Sequence, residues 1–391
     1  MEYLQQEFSV RFAYKVFFTT HVFDINNPLL RDFLAEKKSS GVRQKILFVL
    51  DSEVLHHHPN LQAQIKKYFA ALPSMQLIDD MIVLPGGEAV KNGDTFFDQV
   101  LEAVNTFGID RHSYLVAIGG GAILDVVGYA AAVSHRGVRH IRIPTTVLSQ
   151  NDSGVGVKNG INFFAKKNFL GAFAPPAAVF NDYHFLTTLS DIDWRSGISE
   201  AIKVALIKDA LFFEWLTENA VLLAQRNMEA MAYLIKRCAQ LHLEHIASKD
   251  PFETGSSRPL DFGHWSAHKL EQLTDFSLRH GEAVAIGIAL DSTYSYLSGR
   301  LSADDLEKII KLIRTLQLPL SHPLIEIENH ESPLVKGLNE FREHLGGQLT
   351  IMLLRGIGKG EEVHEIDPGL LKQAGHWLLQ VEERAPFKIN S

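Results

Sequence analysis

Tyr114-Leu115-Val116-Ala117-Ile118-Gly119-Gly120-Gly121, followed by small residues from Ala122 to Val133, is the stretch that decides the fold. The first five residues carry no charge and predict a buried strand, and the segment after the glycines has a helical pattern. The glycines allow a tight turn, and the next helix then presents free N–H groups to an anion. The stretch predicts a dinucleotide-type phosphate site, with a plain strand-to-helix turn as the alternative.

Strands and helices alternate on both sides of this turn. Residues 44–51 read as a buried strand that ends in Asp51, and residues 138–143 read as another that ends at Pro144-Thr145-Thr146. This alternation predicts a parallel sheet covered by helices. Asp51 is placed to accept ribose hydroxyls, and a helix cap is the alternative interpretation.

The composition of the chain changes beyond Asn181, where glycine becomes rare. Ser190 has the position of a helix cap, and long helical patterns follow from residues 194–209 to residues 303–316. We therefore expect an α/β, Rossmann-like N-terminal domain over residues 1–187. An all-α C-terminal domain is expected over residues 188–391.

Composition excludes several classes of protein. The 391 residues carry a formal net charge of -8 and no basic tract, which argues against a nucleic-acid or anionic-membrane partner. Cys238 is the single cysteine, so no internal disulfide is expected. No uncharged apolar run reaches the length of a membrane span, and no signal peptide is readable. We expect a soluble, cytoplasmic protein.

Polar residues are concentrated between residues 150 and 168. Asp152, Lys158 and Asn168 lie there among glycines, in a stretch that reads as a loop. Loops with this much polar chemistry are often binding surfaces, and a solvated turn is the alternative. Lysine and amide groups of this kind suit a substrate phosphate and its hydroxyls.

Three histidines have the spacing of metal ligands. His264 and His268 are four residues apart on one helix face, and His280 follows twelve residues later. Glu200 and Lys203 lie three apart on an otherwise apolar helix, where an ion pair is the simple explanation. Glu200 with His264 and His280 would give a metal site with open positions for substrate oxygens. His268 would then bind a substrate anion or relay protons.

In their order along the chain, these motifs resemble the 3-dehydroquinate synthase superfamily, the sugar phosphate cyclases. The resemblance covers nearly the whole chain and implies a dehydroquinate synthase-like fold with NAD bound between the two domains. The matching motifs are Gly119 to Asp125, Arg136-Gly137, Pro144-Thr145-Thr146, Asp152 to Asn162, Lys167-Asn168, Glu200 to Lys203, Gly263-His264 with His268, and His280-Gly281-Glu282.

The resemblance also assigns roles. It implies a divalent metal, Zn²⁺ or Co²⁺, on Glu200, His264 and His280. Arg136 matches an arginine that reaches the phosphate of a neighbouring subunit's substrate, so a homodimer is implied. The cofactor-side positions would be Asp51, Glu88, Lys91, Gly119, Gly120, Gly121, Asp125, Thr145, Thr146, Lys167 and Thr188. The substrate-side positions would be Asp152, Lys158, Asn168, Lys203, Asp261 and His268.

The implied reaction converts a seven-carbon ketose phosphate to a carbocycle. Hydride passes to NAD and returns, phosphate leaves, and an intramolecular aldol step closes the ring, so there is no net redox change. Two other activities compete with this prediction. One is a metal-dependent polyol dehydrogenase of the glycerol dehydrogenase type, and the other is a scaffold that binds without catalysis.

Departures from 3-dehydroquinate synthase bear on the substrate. Asp261 replaces an asparagine, Ser257 falls where an arginine is expected with Arg258 one place off, and His242 falls near the position of a lysine. The late Asp-Lys-Lys motif is replaced by residues 341–344, Phe-Arg-Glu-His. A substrate carboxylate needs fixed cations, so these changes favour sedoheptulose 7-phosphate, as in the valiolone-type cyclases. The shikimate-pathway heptulosonate phosphate is the alternative substrate.

Overall fold

The computed structural model describes residues 2–36, 43–164, 166–247, 252, 261–329, 331–344 and 349–384. The chain forms two compact units. The first contains Met1–Pro144 and Gly156–Asp182, and the second contains Thr145–Val155 and Tyr183–Ser391. Packing thus divides the chain near residue 182 and also assigns residues 145–155 to the second unit. The sequence predicts a single domain boundary near residue 188, which is a simpler arrangement than this division.

A seven-stranded sheet forms the centre of the first unit. Its strands are β1 (Lys15–Thr19), β2 (Gln44–Asp51), β3 (Met75–Leu77), β4 (Ile82–Leu84), β5 (Tyr114–Gly119), β6 (Arg139–Pro144) and β9 (Ala178–Asp182). They pair in parallel in the order β1-β9-β6-β5-β2-β3, with β4 also pairing with β2. β3 and β4 lie on one side of β2, and β5 lies on the other side. The order in which successive strands are added to the sheet therefore reverses between β2 and β5.

Helices connect these strands, which confirms the predicted α/β alternation. The helices of the first unit are α1 (Leu29–Glu36), α2 (Ser52–His57), α3 (Leu61–Ala70), α4 (Thr95–Thr106) and α5 (Gly121–Val133). The central strands are buried along their length, and α5 packs its apolar residues on them. Between Val10 and Phe23, where apolar residues alternate, the described chain forms the single strand β1.

The polar stretch between residues 150 and 168 is more ordered than the predicted loop. It begins with a π-helical turn, Ser149–Ser153, in the second unit. It continues as an antiparallel hairpin in the first unit, made of β7 (Lys158–Phe163) and β8 (Lys166–Phe173). Glycine at residues 160 and 171 permits this pairing, since a Cβ at either would lie under 3 Å from a carbonyl oxygen of the other strand.

The described residues of the second unit are mainly helical, as predicted, and they also form an antiparallel hairpin that the sequence pattern did not predict. The predicted helix over residues 194–209 is divided in two at Gly197. The helices are α6 (Asp191–Ser196), α7 (Ile198–Lys208), α8 (Ala210–Ala224), α9 (Met228–Ile246), α10 (His264–Leu273), α11 (His280–Leu297), α12 (Ala303–Thr315), α13 (Pro333–His344) and α14 (Pro368–Arg384), and the hairpin is β10 (Ile351–Gly356) with β11 (Lys359–Val363).

Glycines let three of these helices converge closely. A Cβ at Gly281, in the first turn of α11, would overlap the carbonyl oxygen of Ser196 at the end of α6. A Cβ at Gly287 would overlap the carbonyl oxygen of Gly263, which precedes α10. Gly197, just before α7, has no space for a side chain against Val147. These contacts bring the starts of α7, α10 and α11 together.

No helix in the described part of the chain is both long enough and apolar enough to span a membrane.

Candidate active site

The glycine turn of the first unit lies where a doubly wound sheet binds nucleotides. Leu50 of β2 pairs with Ile118 of β5, so Asp51 and Gly119 follow side by side at the carboxyl ends of adjacent strands. This is the point at which strand order reverses, and ligands bind at such points. A Cβ at Gly119 would lie 2.8 Å from the Cβ of Ile123, so the turn requires glycine there.

Asp51 is held against this turn. Its carboxylate accepts hydrogen bonds from the Glu53 N–H (2.9 Å) and the Gly120 N–H, and it caps α2. Burial raises the pKa of Asp51 from its ordinary value. The helix-cap interpretation therefore describes the structure, and a ribose contact stays a prediction. Since Gly120 and Gly121 begin α5 without a side-chain cap, the turn fits a bound phosphate.

Lys91 is the centre of a polar cluster in the same unit. Only 2% of Lys91 is exposed, and its ammonium contacts Asp125 (2.6 Å), Glu88 (3.7 Å) and the Asn168 amide oxygen. Burial lowers the pKa of Lys91, but Asp125 and Glu88 outweigh it and raise the pKa. Three predicted cofactor-side residues and one substrate-side residue thus converge in one cluster.

The strand that carries Lys158 is fixed by a buried arginine. Arg142 of β6 is 1% exposed and donates to the carbonyls of Gly156 (2.7 Å) and Lys158 (3.2 Å) and to the Asn159 amide oxygen (2.7 Å). Lys158 itself is exposed. The backbone of Lys158 is therefore held at a defined strand position in the first unit.

Two further cations of the first unit lie near turns. Lys167 is half-buried on β8. Arg136 is exposed. The backbone φ angles of Arg136 (62°) and of the preceding His135 (51°) both lie in the left-handed region. Consecutive non-glycine residues in this region are uncommon, so the turn presents Arg136 at an energetic cost.

The predicted cofactor-side threonines lie in the second unit. Thr145 is buried, and the Thr146 hydroxyl hydrogen-bonds with that of Ser149 at 2.8 Å, which stabilises the turn before Asp152. Thr188 donates to the Phe185 carbonyl at 3.3 Å. These contacts are structural, and any role toward NAD stays a prediction.

The structure brings Glu200, His264 and His280 together in the second unit. One ligand atom from each lies within 4.8 Å of those of the other two. The Nε2 atoms of His264 and His280 are 3.3 Å and 3.4 Å from the same oxygen, Oε1 of Glu200. His264 Nδ1 is 3.1 Å from the Phe262 carbonyl oxygen, so Nδ1 carries a proton and Nε2 is the nitrogen left to bind a metal.

This donor set fits a divalent metal ion. Glu200 is 1% exposed, and its two oxygens lie against the Lys203 ammonium and the two imidazoles. Burial raises the pKa of Glu200, but Lys203 and His264 outweigh it and hold the pKa well below its usual range. An ionised carboxylate facing two imidazole nitrogens is typical of a catalytic zinc site with three protein ligands.

The Glu200–Lys203 ion pair expected from the sequence is also present, and it belongs to a larger group. Asp152, on the π-helical turn, is 2.7 Å from His242 Nδ1 of α9. Burial raises the pKa of Asp152, but His242 and Lys203 outweigh it and lower the pKa. Burial likewise lowers the pKa of Lys203, yet Glu200 and Asp152, with a smaller contribution from Asp261, raise it.

His268 lies beside the metal group but differs from it in exposure. Its ring centroid is 5.4 Å from that of His264 and 6.1 Å from that of His280. His268 is exposed whereas His264 is buried. The structure therefore places His268 next to the predicted metal ligands, where it is accessible to a ligand.

Two buried acids near the predicted metal ligands were not identified from the sequence. Glu271 is buried, and its Oε2 is 3.1 Å from His280 Nδ1. Asp291 is buried on α11 and accepts hydrogen bonds from the Gly263 N–H (3.0 Å) and Trp265 Nε1–H (2.9 Å) on either side of His264. Glu271 follows His264 by two helical turns, and that spacing was a readable signal.

Some of the residues predicted to contact the substrate lie outside the described part of the chain. Ser257 and Arg258 lie outside the described residues, as do the side chains of residues 343 and 344 in α13. Asp261 is half-buried just before α10. His242 is described, and its contact is with Asp152.

Solved structures share this two-unit fold. The 2-epi-5-epi-valiolone synthase ValA of Streptomyces hygroscopicus subsp. jinggangensis 5008, with NAD+ and Zn2+ bound, is 29% identical, with a TM-score of 0.86 over 97% of this chain and 100% of that one. A 2-deoxy-scyllo-inosose synthase complexed with carbaglucose-6-phosphate, NAD+ and Co2+ has a TM-score of 0.76 at 22% identity, over 92% and 96%. The fold is that of the dehydroquinate synthase-like enzymes.

Sequence comparison gives the family. The models for the N-terminal and C-terminal parts of 3-dehydroquinate synthase match residues 81–196 and 197–335. A 3-dehydroquinate synthase from a Nitratiruptor species is 41% identical over 252 residues, which are 64% of this chain and 70% of that protein. The chain belongs to the 3-dehydroquinate synthase family, whose members are enzymes, and the predicted resemblance is confirmed.

Proposed function

We propose that this chain is an NAD- and divalent-metal-dependent sugar phosphate cyclase that converts sedoheptulose 7-phosphate to a carbocycle. The reaction eliminates phosphate and closes the ring by an intramolecular aldol step. The observation that carries the proposal is the convergence of Glu200, His264 and His280 in a member of this family. Cyclitol biosynthesis is the corresponding pathway class.

Zn²⁺ or Co²⁺ would be held by Glu200, His264 and His280, and NAD by the glycine turn with Asp51. When bound, the metal supplies positive charge beside a reacting oxygen, and NAD supplies reversible hydride transfer. The buried Glu200 oxygens and the turn before α5 support these assignments. The structural relative ValA carries both NAD+ and Zn2+.

The other polar residues of the second unit would bind and orient the substrate and transfer protons. Asp152 is held ionised by His242 and Lys203, so it can accept a hydrogen bond from a substrate hydroxyl. Lys203 stays charged and can donate to a substrate oxygen. His268 is exposed beside the metal group, where it can bind the substrate phosphate or carry a proton.

Phosphate binding is the role proposed for the first unit's polar residues. Lys158 is exposed on a strand that Arg142 fixes, and Asn168 contacts Lys91 through its amide oxygen. Arg136 on its strained turn would reach the substrate of a second subunit in a cytoplasmic homodimer. Its exposure is consistent with such a role.

Charge supports the choice of a neutral substrate end. Lys203 interacts with three carboxylates, Glu200, Asp152 and Asp261. A substrate carboxylate would add a further negative charge near Asp261, and like charges in one site repel. His242 does not compensate as a free cation, because its Nδ1 is held by Asp152. A hydroxymethyl or polyol end avoids this repulsion and can donate to Asp261.

The second candidate is 3-dehydroquinate synthase itself, and the 41% identity to the Nitratiruptor enzyme favours it. Its substrate, the shikimate-pathway heptulosonate phosphate, carries a carboxylate.

A polyol dehydrogenase is a weaker candidate. A probable glycerol dehydrogenase of Sinorhizobium meliloti 1021 shares the fold at 16% identity, with a TM-score of 0.61 over 95% of this chain and 98% of that one.

One assay distinguishes these activities. Purified protein with NAD and Zn²⁺ or Co²⁺ is given sedoheptulose 7-phosphate, the heptulosonate phosphate or glycerol, and both phosphate release and NADH absorbance are followed. Phosphate release from sedoheptulose 7-phosphate without NADH accumulation is expected, and NMR of the product should show a carbocycle. Turnover of the heptulosonate alone would establish the second candidate instead. Steady NADH formation from glycerol would overturn the cyclase proposal.

A further inference from the structure

Glu271 is a buried carboxylate that the proposed reaction does not use. It lies on α10, two turns after His264, and only 4% of the residue is exposed. Its Oε2 lies 3.1 Å from Nδ1 of His280, the first residue of α11. A buried carboxylate needs a donor or a cation, and this imidazole nitrogen is placed to provide one.

The two histidines of the metal group have matching arrangements. His264 has its Nδ1 against the Phe262 carbonyl oxygen, and His280 has its Nδ1 against Glu271. In both rings the opposite nitrogen, Nε2, faces Oε1 of Glu200. An acceptor on Nδ1 selects the tautomer that leaves Nε2 free to bind a metal, and it also fixes the ring plane.

His280 needs such a partner more than His264 does. His264 is buried, and its acceptor is a backbone carbonyl two residues away, so local chain geometry orients its ring. His280 begins its helix, and a quarter of its side chain is exposed. The contact with Glu271 crosses from α10 to α11, so it depends on a specific side chain.

From this geometry we infer that Glu271 is a positioning residue, which accepts the Nδ1–H of His280 and orients that ring toward the metal. The inference rests on the proposed metal site. In the structure the two atoms are close but not aligned as a hydrogen bond. Contacts of this kind often tighten only when the ligand binds.

A direct role for Glu271 as a metal ligand is a different arrangement. His268, Glu271 and His280 also form a group whose ligand atoms lie within 4.8 Å of one another. In that group an ion between Glu271 and His280 would bind Nδ1, while the Glu200 site uses Nε2 of the same ring. Metals on both nitrogens require an imidazolate, whereas one metal with a hydrogen bond requires only the neutral ring. The single-metal arrangement is therefore favoured.

The test measures metal binding rather than turnover. Wild type, Glu271→Ala and Glu271→Gln are stripped with a chelator, and their affinities for Zn²⁺ and Co²⁺ are determined by competition. We expect the dissociation constant to rise about 10- to 100-fold in Glu271→Ala, the usual effect of losing such a partner. The rise should be smaller in Glu271→Gln, whose side-chain oxygen still accepts a hydrogen bond. In metal-loaded wild type, ¹⁵N NMR should show His280 protonated at Nδ1, with a signal that shifts in both variants.

Glu340→Gln is the matched control. Glu340 pairs with Lys269 of α10 at 2.9 Å, but it is exposed, so its loss should leave metal affinity unchanged. Should Glu271→Ala not fold, the near-isosteric Glu271→Gln still decides the question through the ¹⁵N signal of His280 Nδ1, which should shift. A dissociation constant within about twofold of wild type in folded Glu271→Ala overturns the inference, as does an unshifted His280 signal in Glu271→Gln or binding of a second metal ion through Glu271. Wild type that binds no metal would instead refute the proposed site itself.

Discussion

Asp291 provides a pH-dependent test of how the first histidine of the candidate site is held. This carboxylate is buried on α11 and accepts the Gly263 N–H and the Trp265 indole N–H, the residues on either side of His264. Burial raises the pKa of Asp291 from 3.8 to about 7, and the two hydrogen bonds only partly oppose this rise. Asp291→Asn removes the titrating group with little change in volume.

The size and sign of the effect follow from this shift. The two pKa values, 3.8 and about 7, differ by about three units, and each unit corresponds to about 1.4 kcal/mol, so the full contribution is about 4 kcal/mol. Because the pKa of the folded state is the higher one, the folded state binds the extra proton between these two values. The contribution to stability is complete below the unfolded-state pKa and is lost as pH rises through about 7.

Unfolding by guanidinium chloride measures this contribution. All four tryptophans, Trp194, Trp215, Trp265 and Trp377, lie in the second unit, so their fluorescence reports on the unit that contains Asp291. Metal-free protein is used, so that ligand protonation is common to wild type and variant. The free energy of unfolding of wild type minus that of Asp291→Asn should fall by about 3 kcal/mol between about pH 5 and about pH 8.

Asp304→Asn is the matched control, since Asp304 is an exposed acid on α12 of the same unit. Its difference from wild type should stay constant over this range of pH. A constant difference for Asp291→Asn would refute the reasoning, because it would mean that the two N–H donors outweigh burial and keep Asp291 ionised over this whole range.

Three further changes test the site. Gly281→Ala forces a methyl group against the Ser196 carbonyl, so chemical denaturation should show a loss of about 1–3 kcal/mol and metal analysis a lower content. Gly356→Ala, where a Cβ meets nothing within 4 Å, is its control, and equal stability of the two variants would contradict the close packing. Glu200→Gln should purify with little metal, measured by mass spectrometry, and full metal content would show that Glu200 is not a ligand. Asp261→Asn should raise kcat/KM for the heptulosonate relative to sedoheptulose 7-phosphate about tenfold, or ~1.4 kcal/mol, and an unchanged ratio would remove Asp261 from substrate choice.

Local patterns predicted the sheet well. The strand over residues 44–51 has the predicted bounds, and Ser190 caps its helix by accepting the Asp193 N–H at 3.1 Å. The strand and the helix cap both depend on residues adjacent along the chain, so their patterns can be read from the sequence. The break at Gly197 was not predicted, and the close approach of Gly197 to Val147 involves a residue some fifty positions away in the chain. Tertiary contacts of this kind leave no local period.

The candidate site shows the same limit. The helical spacing of His264 and His268 was readable, but which of the two would face Glu200 was not, since both share one face of α10. His280 joins His264 on the same Glu200 oxygen, and His268 remains exposed beside them. Glu200 with His264 and His280 was one candidate set from the residues alone, and the resemblance to a family implied the same set. The spacing of Glu271 from His264 was readable, but its contact with His280 was not, because that contact joins two helices.

An excess of acids in the second unit supports two parts of the proposal at once. Asp152 and Glu200 lie near one another and raise each other's cost of ionisation, while Lys203 provides one positive charge for both. Carboxylates withdrawn from water in such a group are stable only if further positive charge balances them, which a divalent ion at Glu200 supplies. With that ion present, the ion and Lys203 offset the charges of Asp152, Glu200 and Asp261, and a substrate carboxylate would add a further negative charge that a neutral polyol end would not. The same acids that favour a metal therefore disfavour the heptulosonate.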